Sequence, residues 1–355
     1  MAENSKIEWT DATFNCWRGC TRISEGCRHC YAETLSGRNP KTLGVWGPQG
    51  TRVVAAGSAW KEPVKWNRLA AEGRLPDGSP NVDGRRPRVF CASLADVFEE
   101  WQGPMSDSQG RTLYRAGVVD WHTEGPPSVR LTMDDVRRRL FALIDATPNL
   151  DWLLVTKRPE NAARMWPAVG FPDAGVPGTL GRRLRLPNVW LIASVENQDA
   201  TARIPELLKV PAVVRGLSME PLLGPVEFSN VSRRSDAVQQ LGRKALDGIS
   251  WVIVGGESGP GSRPLDVAWV RSIVGQCKAA SVPVFVKQLG AKPLWQEQDS
   301  IVDEGENGNP LPRSLWRAPL LDRKGGDIAE WPDDLKVREF PAAGTPAAPA
   351  TVGKE

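Results

Sequence analysis

Asp151-Trp-Leu-Leu-Val-Thr-Lys-Arg158 is a short apolar run that ends in a hydroxyl and two cations. Its apolar residues are continuous rather than alternating. That marks a strand covered on both faces, as in a parallel sheet. Similar runs recur as Arg88-Val-Phe-Cys91-Ala, Asn188-Val-Trp-Leu-Ile-Ala193, Pro211-Ala-Val-Val214, Ser250-Trp-Val-Ile-Val254 and Val282-Pro-Val-Phe-Val286. Helical stretches lie between them. One runs from Thr132, a capping residue with Asp135 three positions on, to about Ala146. There Val136, Leu140, Leu143 and Ile144 form an apolar stripe, Arg137, Arg138 and Arg139 cover other faces, and Pro148 follows. A second covers Val267 to Ala279. Strands alternating with helices predict an α/β fold, a partial or complete (β/α) barrel with loop insertions. A doubly wound sheet is the alternative.

The rhythm sets the domain boundaries. The barrel is expected over 1–290, with insertions at about 42–84 and 101–130. An extension packed on the barrel is expected over 291–340, and a disordered Ala-, Pro- and Gly-rich tail over 341–355. Asp303-Glu-Gly-Glu-Asn-Gly-Asn-Pro reads as a solvent loop.

At 355 residues with net charge +3, the chain can bury a large core and is only mildly basic. The N-terminal Met-Ala-Glu-Asn-Ser-Lys precedes no apolar run, and no stretch approaches the length of a membrane span. A cytoplasmic chain with reduced thiols and no membrane partner is therefore expected. The only histidines, His29 and His122, make a Ser-His-Asp hydrolase a poor reading. The fifteen tryptophans are read mainly as packing residues.

Polar residues follow each apolar run: Ser93 and Asp96; Thr156, Lys157 and Arg158; Ser194 and Glu196; Ser218 and Glu220; Gly255-Gly256-Glu257-Ser258-Gly259; Lys287 and Gln288. In a parallel barrel such strand ends share one mouth, where active sites are built. A common ligand pocket explains the series better than six unrelated helix caps. The Gly255-Gly256 pair lets a ligand approach the backbone, or simply allows a tight turn.

Four of the six cysteines crowd the segment Cys16-Trp-Arg-Gly-Cys20-Thr-Arg-Ile-Ser-Glu-Gly-Cys27-Arg-His-Cys30-Tyr31. Two ligand sets fit. All four thiolates could hold a structural zinc. Alternatively Cys20, Cys27 and Cys30 could bind a [4Fe–4S] cluster, leaving one iron open, with Cys16 as an optional fourth ligand. Proximity to a barrel mouth favours the cluster. Cys91 reads as a buried core thiol.

The motif Cys20-x6-Cys27-x2-Cys30-Tyr31-Ala32-Glu33 resembles the loop of a phage and prophage family of three-cysteine-motif conserved proteins. That family is similar to a branch of the radical S-adenosylmethionine (SAM) superfamily, with spore photoproduct lyase as a distant relative. Pro63-Val-Lys-Trp66, Ser93-Leu-Ala-Asp96-Val-Phe98, Leu154-Val-Thr156-Lys157-Arg158-Pro159, Ser194-Val-Glu196-Asn197, Ser218-Met-Glu220-Pro221-Leu222, Gly255-Gly256-Glu257-Ser258-Gly259 and Lys287-Gln288 belong to the same likeness. The resemblance implies a barrel of radical SAM type with Cys20, Cys27 and Cys30 as cluster ligands. SAM would contact Tyr31, Ser93, Asp96, Ser194, Glu196, Gly255, Gly256 and Glu257. Lys157, Arg158, Ser218, Glu220, Lys287 and Gln288 would serve catalysis or hold substrate. It further implies reductive cleavage of SAM to modify or repair a substrate, a nucleobase in DNA or RNA being the favoured class. The setting would be the cytoplasm of a bacterial host, with an electron donor such as flavodoxin or ferredoxin and a phage-encoded partner protein. The rival expectation is a zinc-stabilised, non-catalytic module binding nucleic acid or protein.

Overall fold

Seven parallel strands lie side by side in chain order in the computed structural model: β1 (Ala12–Thr13), β2 (Arg88–Cys91), β3 (Asp151–Thr156), β4 (Val189–Ser194), β5 (Val214–Met219), β6 (Trp251–Gly255) and β7 (Val284–Gln288). The structure describes residues 3–116, 120–126, 129–169, 182–183, 186–230, 246–296, 315–317 and 320–342. A doubly wound sheet reverses its strand order at a switch point. This sheet never does, so the chain winds in one direction and the sheet curls into a parallel half-barrel. Among the described residues no helix is long and apolar enough to cross a membrane.

Side-chain alternation along each strand separates two cores. Trp152, Leu154, Leu191, Leu217, Val252 and Val286 pack with helix residues such as Val136, Leu140, Ile204 and Val270 on the outer face. Leu153, Trp190, Ile192, Trp251, Ile253 and Phe285 form the inner core with Trp9, while Phe340 packs against it. The chain beyond the barrel reinforces its last edge. Val337 accepts from the amide of Val286 at 2.9 Å, and the Glu339 amide donates to Val284 at 3.0 Å. That contact covers the row of backbone groups an edge strand otherwise leaves open. The Arg88 guanidinium lies 3.6 Å from the centroid of the Phe340 ring, linking this segment back to β2.

Both insertions reach the cysteine segment. Arg52–Val54 pairs antiparallel with Trp17–Arg18 and parallel with Met105–Ser106. The stretch Lys61 to Trp66 enters the helix Glu62–Ala71, whose Trp66 is fully buried. The loop expected over 101–130 also holds an antiparallel pair, Tyr114–Ala116 with Asp120–His122. The acidic loop from Asp303 and the tail beyond residue 342 lie outside the described residues.

The expected helices span Met133–Asp145 and Val267–Ala279, the first with Thr132 and Asp135 forming a capping box. Two expectations change, and one strand is new. The apolar run at Pro211 only leads into β5, which starts at Val214 and continues through Arg215, Gly216 and Ser218. β1 is two residues long, too short for an apolar pattern. Arg137 is buried rather than on an outer face, because its guanidinium donates to the carbonyls of Val97 and Glu99, both at 2.8 Å. Arg137→Ala should strand two buried acceptors and cost about 3 kcal/mol, read as a lower urea midpoint.

Candidate functional site at the barrel mouth

Each inner wall strand turns from apolar to charged at its C-terminal end. Lys157 follows Leu153 and Val155 in the alternation; Ser194 and Glu196 follow Trp190 and Ile192; Glu257 follows Trp251 and Ile253; Lys287 follows Phe285. The chain thus builds an apolar floor below a ring of charge. These charges are paired. Lys157 Nζ lies 2.7 Å from Glu196 Oε1, Arg203 Nη1 lies 2.7 Å from Glu196 Oε2, and Lys287 Nζ donates to Glu220 Oε1 at 2.5 Å. Arg263 Nη2 donates to Glu257 Oε1 at 2.7 Å.

The cysteine loop is clamped onto this ring. Ser24 Oγ donates to Glu196 Oε1 at 3.1 Å, and His29 Nδ1 lies 3.0 Å from Glu257 Oε2. Arg263 Nη1 donates to the Glu25 carbonyl at 3.0 Å, and Arg158 Nη2 donates to the Thr21 carbonyl at 2.6 Å. The Tyr31 hydroxyl donates to the Ser93 carbonyl at 2.6 Å. Burial opposes the charge of Glu196, yet Lys157 and Arg203 hold its pKa down to about 2. Glu257 likewise falls to about 2 against burial, through Arg263 and His29.

Gly26 shows how closely the loop fits. A Cβ there would meet Glu196 Oε1 at 2.3 Å and its Cγ at 2.5 Å. Because Lys157, Arg203 and Ser24 hold that carboxylate, it has little room to yield. Gly26→Ala should therefore lift the loop at a cost of about 2 kcal/mol, measured as lost amide protection over residues 20–30 with little change elsewhere.

The six cysteines divide evenly. Cys16, Cys91 and Cys277 are buried, whereas Cys20, Cys27 and Cys30 are half-buried and free of disulfides. Cys16 and Cys91 touch in the outer core, where burial and the Cys16 thiol push Cys91 upward. Cys30 caps the helix Tyr31–Arg38; burial raises its pKa, opposed by the amides of Glu33 and Ala32 and by Lys157, while Cys27 is near enough to add repulsion. Cys20 sits apart, 3.5 Å from Arg158 Nη1, and is pushed up to about 12 by burial and by Glu99 and Asp96. Among the described residues no three His, Cys, Asp or Glu side chains are gathered closely enough to hold a metal ion.

Several expected contact residues have internal work. The Asp96 carboxylate accepts from Thr156 Oγ1 at 2.7 Å and from Phe98 N, Lys157 N and Arg158 Nη1, each at 3.0 Å. Ser93 Oγ accepts from Asn15 at 3.1 Å, and Gln288 donates to the Gly256 carbonyl at 2.9 Å. The Gly256 backbone itself faces the chain, since a Cβ there would meet the Leu289 carbonyl at 2.5 Å; at Gly255 a Cβ would lie 3.2 Å from the Gln288 carbonyl, a looser fit. Ser194 and Ser218 are buried at the ends of β4 and β5. Sequence reasoning missed Ser24, Arg203, Arg263 and the buried Arg52–Glu99 pair, joined at 2.7 Å. Arg52 Nη2 also donates to Thr21 Oγ1 at 2.8 Å, steadying the loop beside Cys20. A cleft of about 1080 Å³ opens next to this loop, between Ile23, Trp101, Lys157 and Arg203.

A family model described as "Protein of unknown function (DUF5131)" matches residues 4–102 and 99–319. No curated protein matches the chain, and no solved structure does.

Proposed function

The chain belongs to the DUF5131 family of unknown function, and for it we propose the activity of a radical SAM-type iron–sulfur enzyme. In this reading the half-barrel is a partial barrel of that type, and it cleaves SAM reductively at its mouth. The observation that carries the reading is the position of Cys20, Cys27 and Cys30. They share one loop clamped over the C-terminal ends of parallel strands, while the other three cysteines are buried elsewhere. As a donor set, three thiols free of disulfides on one segment suit a cluster with an open iron. Cys27 and Cys30 already lie near each other; Cys20 would have to turn from Arg158 to join them.

A [4Fe–4S] cluster with bound SAM supplies the electron that breaks a carbon–sulfur bond. The chain's own residues supply the setting. Glu196 and Glu257 hold the loop in place, and Lys157 together with the Ala32 and Glu33 amides offsets part of the burial that raises the Cys30 pKa. Leu153, Ile192 and Ile253 keep water from the floor. Ser194, Ser218 and the Glu220–Lys287 pair offer polar groups for the amine, carboxylate and ribose of SAM. Within this proposal the substrate is a nucleobase, modified or repaired in DNA or RNA. That part rests on the sequence resemblance, because Lys157, Lys287, Arg203 and Arg263 are each matched to a carboxylate.

Anaerobic purification tests the reading. The protein should be brown, carry about four irons and as many sulfides per chain, and release methionine from SAM when reduced. A colourless protein holding zinc would replace the proposal with the binding-module alternative.

A further inference from the structure

We propose that Cys27 and Cys30 are a dithiol that exchanges with low-molecular-weight disulfides, closing and reopening a Cys27–Cys30 bridge at the barrel mouth. The proposal goes beyond the iron–sulfur reading and concerns the metal-free chain, so the two stand or fall separately. Its first support is a turn. The Cys30 amide donates to the Cys27 carbonyl at 3.3 Å, closing a turn through Arg28 and His29. Such a turn holds its first and last Cα atoms within about 7 Å, a separation that a disulfide spans. The two thiols are near enough for Cys27 to oppose the charge of Cys30.

The second support is which thiols are gathered. Cys20 sits apart from the pair, 3.5 Å from Arg158 Nη1, and among the described residues no three possible metal ligands lie together. A bridge needs only two sulfurs, and two are in place. Cys16 and Cys91 also touch, but both are fully buried in the outer core, out of reach of a dissolved reagent. Cys27 and Cys30 are half-buried and accessible.

The third support is what holds the turn. On one side Ser24 is tied to Glu196 and the Glu25 carbonyl to Arg263; within the turn His29 meets Glu257; on the other side Cys30 is the N-cap of the helix Tyr31–Arg38. Pinned in this way, the second thiol stays beside the first, and the intramolecular step outruns attack by another molecule. Arg22 and Lys157 lie near the pair and favour the sulfur anions that attack and leave.

In the exchange, one cysteine thiolate attacks a sulfur of the small disulfide. The reagent's S–S bond breaks, and one thiolate leaves with the proton that the cysteine gave up. The other cysteine then attacks the mixed disulfide, and the second small thiolate leaves with that cysteine's proton. The two cysteines lose two electrons and two protons, and the small disulfide gains both.

Incubating reduced, chelator-treated protein with oxidised glutathione, then quenching with acid and mapping tryptic peptides by mass, tests the proposal. Trypsin cuts after Arg22 and Arg28, so Cys20, Cys27 and Cys30 fall on three different peptides. The Cys27 and Cys30 peptides should appear joined, and dithiothreitol should part them. Cys20→Ser should leave the joined peptide unchanged. Cys27→Ser and Cys30→Ser should each lose it and stop with glutathione on the remaining cysteine of the pair. A Cys20 peptide joined to either of the others in the natural sequence overturns the proposal. So does glutathione retained on Cys27 or Cys30 there, or both thiols left free. A protein that bridges in this way but takes up no iron when reduced overturns the enzyme reading and leaves the dithiol standing. An iron-bearing protein whose metal-free form does not bridge overturns the dithiol and leaves the enzyme reading standing.

Discussion

If the chain holds the proposed three-thiolate iron–sulfur centre, Cys27→Ala will leave the purified protein with background iron and no reductive cleavage of SAM, whereas Cys16→Ala will keep its iron and lose only stability. The contrast follows from where the two thiols sit. Cys27 lies on the clamped loop, 3.8 Å from Ser24 Oγ and close to Cys30. Cys16 is fully buried against Cys91 and faces the helix-covered core. A centre held by only three thiolates has none to spare, so losing one should lower bound iron more than about tenfold. Truncating a buried cysteine leaves a small cavity and costs about 1 kcal/mol. Cys20→Ala should match Cys27→Ala. The Cys20 thiol is pushed up to about 12 by burial and by Glu99 and Asp96, and metal binding must drive off its proton. Iron and sulfide assays on anaerobic protein, with circular dichroism as the folding control, read the result. If Cys16→Ala loses its metal as completely as Cys27→Ala, the site uses four thiolates, and the open iron on which SAM chemistry depends does not exist.

Much of the barrel is legible because its strands are covered on both faces, which writes them as unbroken apolar runs. β3, β4 and β6 begin within a residue of the expected runs. β5 escaped because Gly216 and Ser218 interrupt the apolar run, with Gly216 packed under Ile192 and Trp251. The mouth is legible for the same geometric reason: alternation carries Lys157, Glu196, Glu257 and Lys287 to the inner face. What holds them is not local. Ser24 meets Glu196 across 172 positions and His29 meets Glu257 across 228, and no spacing rule links residues that only the curled sheet brings together. The same limit explains Gly256, whose small size makes room for the Leu289 carbonyl, a contact no spacing predicts. It also explains Asp96, an apparent ligand whose carboxylate is spent on Thr156, Lys157, Arg158 and Phe98.

Lowering the pH from about 5 to about 2 will release the cysteine loop before the barrel melts. Glu196 and Glu257 both titrate near 2 in the folded protein, against 4.5 as the ordinary value. A folded pKa below the unfolded one gives stability that is complete above the unfolded value and is lost as pH falls through the folded value. At 1.36 kcal/mol per unit, Glu196 contributes about 3 kcal/mol. Glu257 contributes less, because water reaches its partners His29 and Arg263 and screens them. Protonation weakens the loop's ties directly: Ser24 and Lys157 share Glu196 Oε1, and His29 shares Glu257 Oε2 with Arg263. The inner core of Leu153, Trp190, Ile192 and Trp251 contains no group that titrates in this range. Amide exchange over residues 20–30 should therefore rise with acid while the β3–β6 amides stay protected. In E196Q/E257Q the loop should exchange quickly already at pH 7, and the urea midpoint should lose part of its slope between pH 5 and pH 2, the rest coming from carboxylates elsewhere that are also held low, such as Asp135 and Asp334. A variant whose residues 20–30 exchange with the acid dependence of the natural sequence would mean that other groups hold the loop, and that the two ion-paired glutamates at the mouth do not position the cysteines.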